Sequence, residues 1–102
     1  MGQLHTRLLA NAVDIANGDL SELCEAARVH AVTIVCGINE CDRQTGGGTL
    51  YNSVVVIGTD GALLNRHRKL MPTNPERMVH GFGDASGLRT VDTSVGRVGT
   101  LI

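Results

Sequence analysis

Lys69 is the only lysine in a chain of 102 residues that holds eight arginines, and a solitary ammonium in so Arg-rich a sequence is the first group to question. It closes the cluster Arg66-His67-Arg68-Lys69, and Glu76 follows beyond Pro72 and Pro75. The two prolines stiffen the intervening stretch and can bring the carboxylate back onto the ammonium. A lysine held by a carboxylate is a fixed point charge, useful wherever negative charge develops in a reaction. The same residues also read as a solvated basic turn with an incidental acid. Spacing leaves both readings open.

The remaining reactive side chains form no recognisable set. Cys24, Cys36 and Cys41 are odd in number and contain no C-x-x-C pair, and the four histidines contain no H-x-x-x-H pair, so neither a disulfide framework nor a metal site is expected. Cys36 falls in an apolar run and reads as a small buried hydrophobe. Cys41 borders a polar stretch and reads as more exposed; neither has an evident base beside it. Gly46 to Gly48 lack the Gly-Lys-Ser/Thr continuation of a phosphate loop and fit a hairpin connection better. Glu40 reads as an ordinary strand-end acid and His80 as a packed or solvated loop residue.

These residues must be positioned by a small aliphatic core, because the chain has one Phe, one Tyr and no Trp. Leu4, Leu8, Leu9, Ala12 and Ile15 recur at helical spacing and suggest a helix between Met1 and Asn17. Asp19 three residues before Glu22 predicts a capping box, followed by an amphipathic helix over 20–31. Residues 32–38 read as a strand buried on both faces, so helix and strand together suggest α/β layering. A loop over 40–49 then reverses the chain, Leu50 to Ile57 forms a second strand, and Asp60-Gly61 marks a tight hairpin into a third. Residues 66–87 read as a long loop with a helical turn after Pro75. Two short strands, 88–91 and 95–102, end the chain.

Composition excludes several classes. Nine basic against ten acidic residues, with no block of like charge, give no footprint for nucleic acid or an anionic membrane. No apolar run reaches the roughly 20 residues of a membrane span, and no secretory signal is evident at the N-terminus. With three unpatterned cysteines the expected compartment is the cytoplasm. A small molecule is the expected partner.

The segments together are more specific than any one alone. Gly37-Ile-Asn-Glu-Cys-Asp42, Gly48-Thr-Leu-Tyr-Asn52, Asp60-Gly61, His67-Arg-Lys-Leu-Met-Pro-Thr-Asn-Pro-Glu-Arg77, Gly81-Phe-Gly-Asp84 and Gly96-Arg-Val-Gly99, in that order, resemble the nitrilases of the carbon-nitrogen hydrolase superfamily. The resemblance spans the chain from about residue 13, and HRKLMPTNPER favours the nitrilase branch over amidases and carbamoylases. It implies an α/β fold, part of a four-layer α-β-β-α sandwich. It also implies a cysteine, glutamate and lysine set working without metal or organic cofactor. In such enzymes a Cys thiolate attacks the nitrile carbon and a Glu relays protons. Ammonia leaves, and the acyl thioester is hydrolysed to a carboxylic acid. Lys69 matches the family lysine, which meets negative charge in the tetrahedral intermediates, and Glu76 matches the second glutamate. Tyr51, Asn52, Arg68 and Thr73 match motif positions near the site, with Glu40 as a further supporting residue.

The departures shape the expectation equally. The nucleophilic cysteine of the resemblance belongs to a Cys-Trp-Glu motif immediately after a strand like 96–102. The first glutamate belongs to a Phe-Pro-Glu segment upstream of Met1, and none of the three cysteines stands at the required position. Residues 1–102 are therefore expected to be one partial domain, truncated at both ends and inactive alone, whose parent hydrolyses a nitrile and forms homo-oligomers. The alternatives are an amidase or cyanide hydratase of the same superfamily, or a non-catalytic interaction module built on the sheet. His80 stands where many nitrilases carry Trp.

Overall fold

Aliphatic side chains on one face of a helix and one face of a sheet make the core. The computed structural model describes residues 2–45 and 47–102. Helix α1 (Gly2–Ala10) leads through a 3₁₀ turn (Ile15–Asn17) to helix α2 (Ser21–His30). Strands β1 (Ile34–Asp42), β2 (Thr49–Ile57) and β3 (Leu63–Arg68) follow, then a 3₁₀ turn (Glu76–Met78) and strands β4 (Thr90–Thr93) and β5 (Gly96–Gly99). β1, β2 and β3 form one antiparallel sheet in that order, and β4 and β5 a separate hairpin. Met1 and Gly46 lie outside the described residues, and with them the first residue of the expected N-terminal helix and part of the expected glycine connection.

α2 follows its periodicity, with Leu20 and Ala27 buried against Val55 and Ile57 and with Ile34, Cys36 and Ile38 of β1 packed around them. Its start differs from the expected capping box. Leu20 occupies the cap position without a side-chain bond. The Asp19 carboxylate instead accepts from the Asp14 backbone N–H at 2.8 Å and the Asn17 amide at 3.1 Å, so it closes the preceding turn. The N-terminal helix is also shorter than its pattern, because the chain leaves it after Ala10 and Val13 pairs with the edge of β1.

β1 runs to Asp42, past the expected strand end, and its first half is covered on one face only. Ile34, Cys36 and Ile38 meet α2, whereas Val35 on the other face is 52% exposed. A β-branched run is equally natural on an open face, and its composition could not reveal which side lacked a partner. Cys41 belongs to this longer strand and is buried, contrary to its expected exposure, with its backbone N–H donating to Val13. The Asp60-Gly61 hairpin forms as its sequence predicts: Gly58 N–H donates to the Ala62 carbonyl, and Gly61 takes φ +82°, a left-handed conformation natural for glycine.

Register sorts the polar side chains between the two faces. Glu40 opposes Tyr51, Ser53 opposes Arg68 and Val55 opposes Arg66, which places these residues on the α2 side. Asn39, Asn52, His67 and, one residue beyond β3, Lys69 fall on the opposite side by the same alternation.

The stretch after β3 is long yet tied down. Gly81 N–H donates to Leu50, Gly83 N–H to Lys69, and the Asn65 side chain to the Gly87 carbonyl. A Cβ at Gly87 would stand 2.0 Å from the Arg66 carbonyl oxygen and 2.6 Å from His67 Cα, both backbone atoms. Gly87→Ala is therefore expected to force the loop off β3 and cost about 2 kcal/mol or more, read as a lowered thermal midpoint. Gly37→Ala, where a Cβ meets nothing within 4 Å, is the matched control and is expected to stay within about 0.5 kcal/mol of the parent. Among the described residues, no helix is long and apolar enough to cross a membrane.

Candidate functional site

Where β3 ends, Lys69 is fixed at both ends of its side chain. Its backbone N–H donates to the Asn52 carbonyl at 2.8 Å, and its Nζ donates to Glu76 Oε2 at 2.7 Å. The chain returns the carboxylate to this point through Pro72 and Pro75, which leads directly into the 3₁₀ turn carrying Glu76. Thr73 completes the turn: its backbone N–H and hydroxyl both donate to Glu76 Oε2, at 2.6 and 2.5 Å. The other oxygen, Oε1, accepts from the Asn52 side-chain amide at 3.1 Å. The structure thus brings together Lys69, Glu76, Asn52 and Thr73.

With four donors on its carboxylate, Glu76 is held down to about 2 from an ordinary 4.5, the Lys69 ammonium contributing most and Thr73 next. Such a group stays ionised at neutral pH and is a poor proton carrier. Its capacity is to anchor the ammonium, whose side chain remains only 16% exposed.

Asn39 and His80 extend this group, and the sequence reading gave Asn39 no role. The Asn39 amide donates to the Leu8 carbonyl of α1 at 2.9 Å, which leaves its Oδ1 to accept from His80 Nε2 at 3.1 Å. That orientation makes Nε2 the protonated nitrogen of the neutral ring. Nδ1 is buried with no hydrogen-bond partner among the described residues. Burial chiefly, and Lys69 secondarily, lower the His80 pKa, against an opposing pull from Glu76. The available signal was the period of two in β1, which separates Asn39 from its neighbour Glu40.

Glu40, Tyr51 and Arg68 lie on the other face of the sheet and form a second group. Glu40 is 3% exposed and accepts from Ser53 Oγ at 2.6 Å, Arg66 Nη1 at 2.7 Å, and Arg68 Nε and Nη2 both at 2.9 Å. The Arg68 guanidinium stacks 3.9 Å over the Tyr51 ring. Burial pushes the Glu40 pKa up, but the bonds from Arg68, Ser53 and Arg66 outweigh it and hold the carboxyl below its usual range. An open cleft of about 430 Å³ adjoins this group, lined in part by Glu40, Arg66 and Arg68, whereas Lys69 and Glu76 are not among its lining residues.

These shifts set the response to acid. Glu76 binds a proton less readily in the fold than in the unfolded chain, so its stabilisation is present above about pH 4.5 and lost as pH falls toward about 2, and Glu40, also held below its usual range, acts with the same sign. His80, kept neutral by burial, acts with the same sign from pH 6.5 downward, because the unfolded chain gains a proton first. The thermal midpoint is expected to fall in two stages as pH drops from 7 to 3. His80→Gln should flatten the upper stage.

The family profile described as carbon-nitrogen hydrolase matches residues 2–102. The chain belongs to that family. Among its relatives, Nitrilase 3 from an unknown prokaryotic organism is 46% identical over 100 residues, covering 98% of this chain and 29% of that protein. The aliphatic nitrilase of Rhodococcus rhodochrous is 38% identical over 101 residues, covering 99% and 26% respectively. The crystal structure of a carbon-nitrogen hydrolase from Helicobacter pylori G27 superposes with a TM-score of 0.68 at 27% identity, over 83% of this chain and 29% of that one. The fold is thus the α/β fold of carbon-nitrogen hydrolases, and the chain spans between a quarter and a third of the length of these relatives.

Within a carbon-nitrogen hydrolase, the three cysteines of this chain remain outside the Lys69 group. Cys24 of α2 and Cys36 of β1 pack against the core, and Cys41 is buried in β1. No hydrogen bond among the described residues joins any of them to Lys69 or Glu76.

Proposed function

We propose that this chain is the charge-supplying segment of a nitrilase, an enzyme that converts a nitrile and two waters into a carboxylic acid and ammonia. The observation that carries the reading is the Lys69 ammonium, fixed 2.7 Å from a carboxylate that stays ionised at neutral pH. Held in that way, it meets the negative charge that develops when a thiolate adds to the nitrile carbon and when water adds to the thioester. Because Glu76 is saturated with donors, it holds Lys69 and leaves proton transfer to another carboxylate. Asn52 and Thr73 orient Glu76. The nucleophilic cysteine and the proton-relaying glutamate come from segments outside these 102 residues, a reading supported by the share of its relatives that the chain spans.

The test is product analysis with the whole enzyme that carries this segment, supplied with aliphatic and aromatic nitriles. Acid and ammonia in equal amounts are expected, and none from the isolated chain. Relatives named bifunctional nitrilase/nitrile hydratase, such as that of Lupinus angustifolius at 38% identity, make the amide the competing product. Amide without ammonia would assign a hydratase, and turnover of amides alone would assign an amidase.

A further inference from the structure

The two polar groups on opposite faces of the sheet meet at a single peptide bond. Arg68 belongs to the ion cluster on the α2 side, and Lys69, the next residue, belongs to the Glu76 group on the other side. We propose that Glu40 is a positioning residue for Lys69, aiming its ammonium through Arg68 across the thickness of the sheet. It deepens the nitrilase reading, from which it takes the importance of Lys69.

The geometry has three parts. First, Glu40 grips Arg68 with a two-pronged pair, Nε to Oε2 and Nη2 to Oε1, while the Tyr51 ring blocks one side of the guanidinium plane. A fork bound at both prongs fixes direction as well as distance. Second, the 68–69 peptide and the one after it are held, since Lys69 N–H donates to Asn52 and Lys69 C=O accepts from Gly83 N–H. A Cβ at Gly83 would fall 2.4 Å from the Arg68 carbonyl oxygen, so the loop lies directly on this peptide. Third, successive side chains in extended backbone point to opposite faces, so a rotation that released Arg68 would swing Lys69 by a comparable angle. The 2.7 Å contact to Glu76 would then open.

Arg66 supplies the internal control. It bonds the same Glu40 oxygen but lies three residues before Lys69, with Val55 and not Ser53 opposite it. Loss of Arg66 leaves the grip on Arg68 in place.

Lys69 being the only lysine makes the test direct. With ¹³C at the lysine ε carbon, the chain gives one lysine side-chain signal, whose shift with pH follows the carboxyl of Glu76. In the parent chain the inflection is expected at about 2. In Glu40→Gln it is expected to climb toward the ordinary 4.5, and in Arg66→Gln to stay at about 2. Circular dichroism reports whether each variant is folded. Should Glu40→Gln unfold, the pair Glu40→Gln with Arg68→Met removes both charges together, and in that folded chain the same climb is expected. A folded variant without the Glu40 grip that keeps its inflection at about 2 would overturn the proposal. So would an Arg66→Gln chain that climbs as far as Glu40→Gln, or a parent chain with its inflection at 4.5. No catalysis is read, so a failure of nitrile hydrolysis and a failure of this positioning role give separate results.

Discussion

Lys69→Ala is expected to lower kcat of the whole enzyme by at least about 10²- to 10³-fold while KM changes little. The size follows from what is removed: a complete positive charge, its side chain 16% exposed, aimed by Glu76, which Thr73 and Asn52 hold in turn, and needing no reorganisation when charge develops. The thermal midpoint should move little. Glu76 keeps both Thr73 donors and the Asn52 amide, so its carboxylate is not left without partners. Lys69→Arg is not expected to rescue turnover, because a planar fork cannot occupy the place of a compact ammonium bonded to one carboxylate oxygen. Ammonia release under saturating nitrile measures the effect, and a variant within tenfold of the parent would remove Lys69 from the chemistry.

Glu40→Ala is expected to be the most destabilising single change, about 3–5 kcal/mol by urea denaturation. The substitution deletes an acceptor that serves two guanidinium groups and a fully buried hydroxyl, and leaves Arg68 with only its 3.5 Å contact to Asp42. Most of the loss comes from the abandoned partners, since the Arg68 side chain is only 14% exposed. Against the 5–15 kcal/mol that holds an ordinary domain together, such a loss leaves little reserve. Removing Glu40 and Arg68 together, as Gln and Met, should cost less than Glu40→Ala alone. A double change that costs more would mean that the pair itself, and not the orphaned charge, carries the stability.

Local rules made parts of this architecture readable. Asp60-Gly61 states its turn in two residues, the α2 stripe states its buried face, and Pro72 and Pro75 announce the bend that brings Glu76 to Lys69. The ambiguity between a solvated turn and a fixed pair is resolved by Thr73, whose bonds to Glu76 are local to the turn, and by Asn52, whose bond to Glu76 depends on where the strand register places it. The ion cluster was out of reach for the same reason. Glu40 and its two arginines lie in different strands, and no periodicity within one strand reveals a carboxylate serving residues two strands away. Asp19 shows the converse, a local signal captured by a competitor, because the Asp14 N–H and the Asn17 amide take the carboxylate in place of the first turn of α2. Val35 shows a third limit, since composition states that a residue can be covered and not that anything covers it.

The stretch between β3 and β4 looks like a place where evolution could add or delete residues freely, yet its attachments remove that freedom. Backbone or side-chain bonds fasten it at Gly81, Gly83 and Gly87, and two of these glycines lie against β3 with no room for a methyl group. One residue inserted between Lys69 and Glu76 would displace either the carboxylate from its ammonium or every fastening downstream of it. The length of this segment is therefore as constrained as the spacing of a core strand, and diversification among descendants of this sequence is confined to substitutions at its exposed positions, such as Met71, Met78 and Phe82.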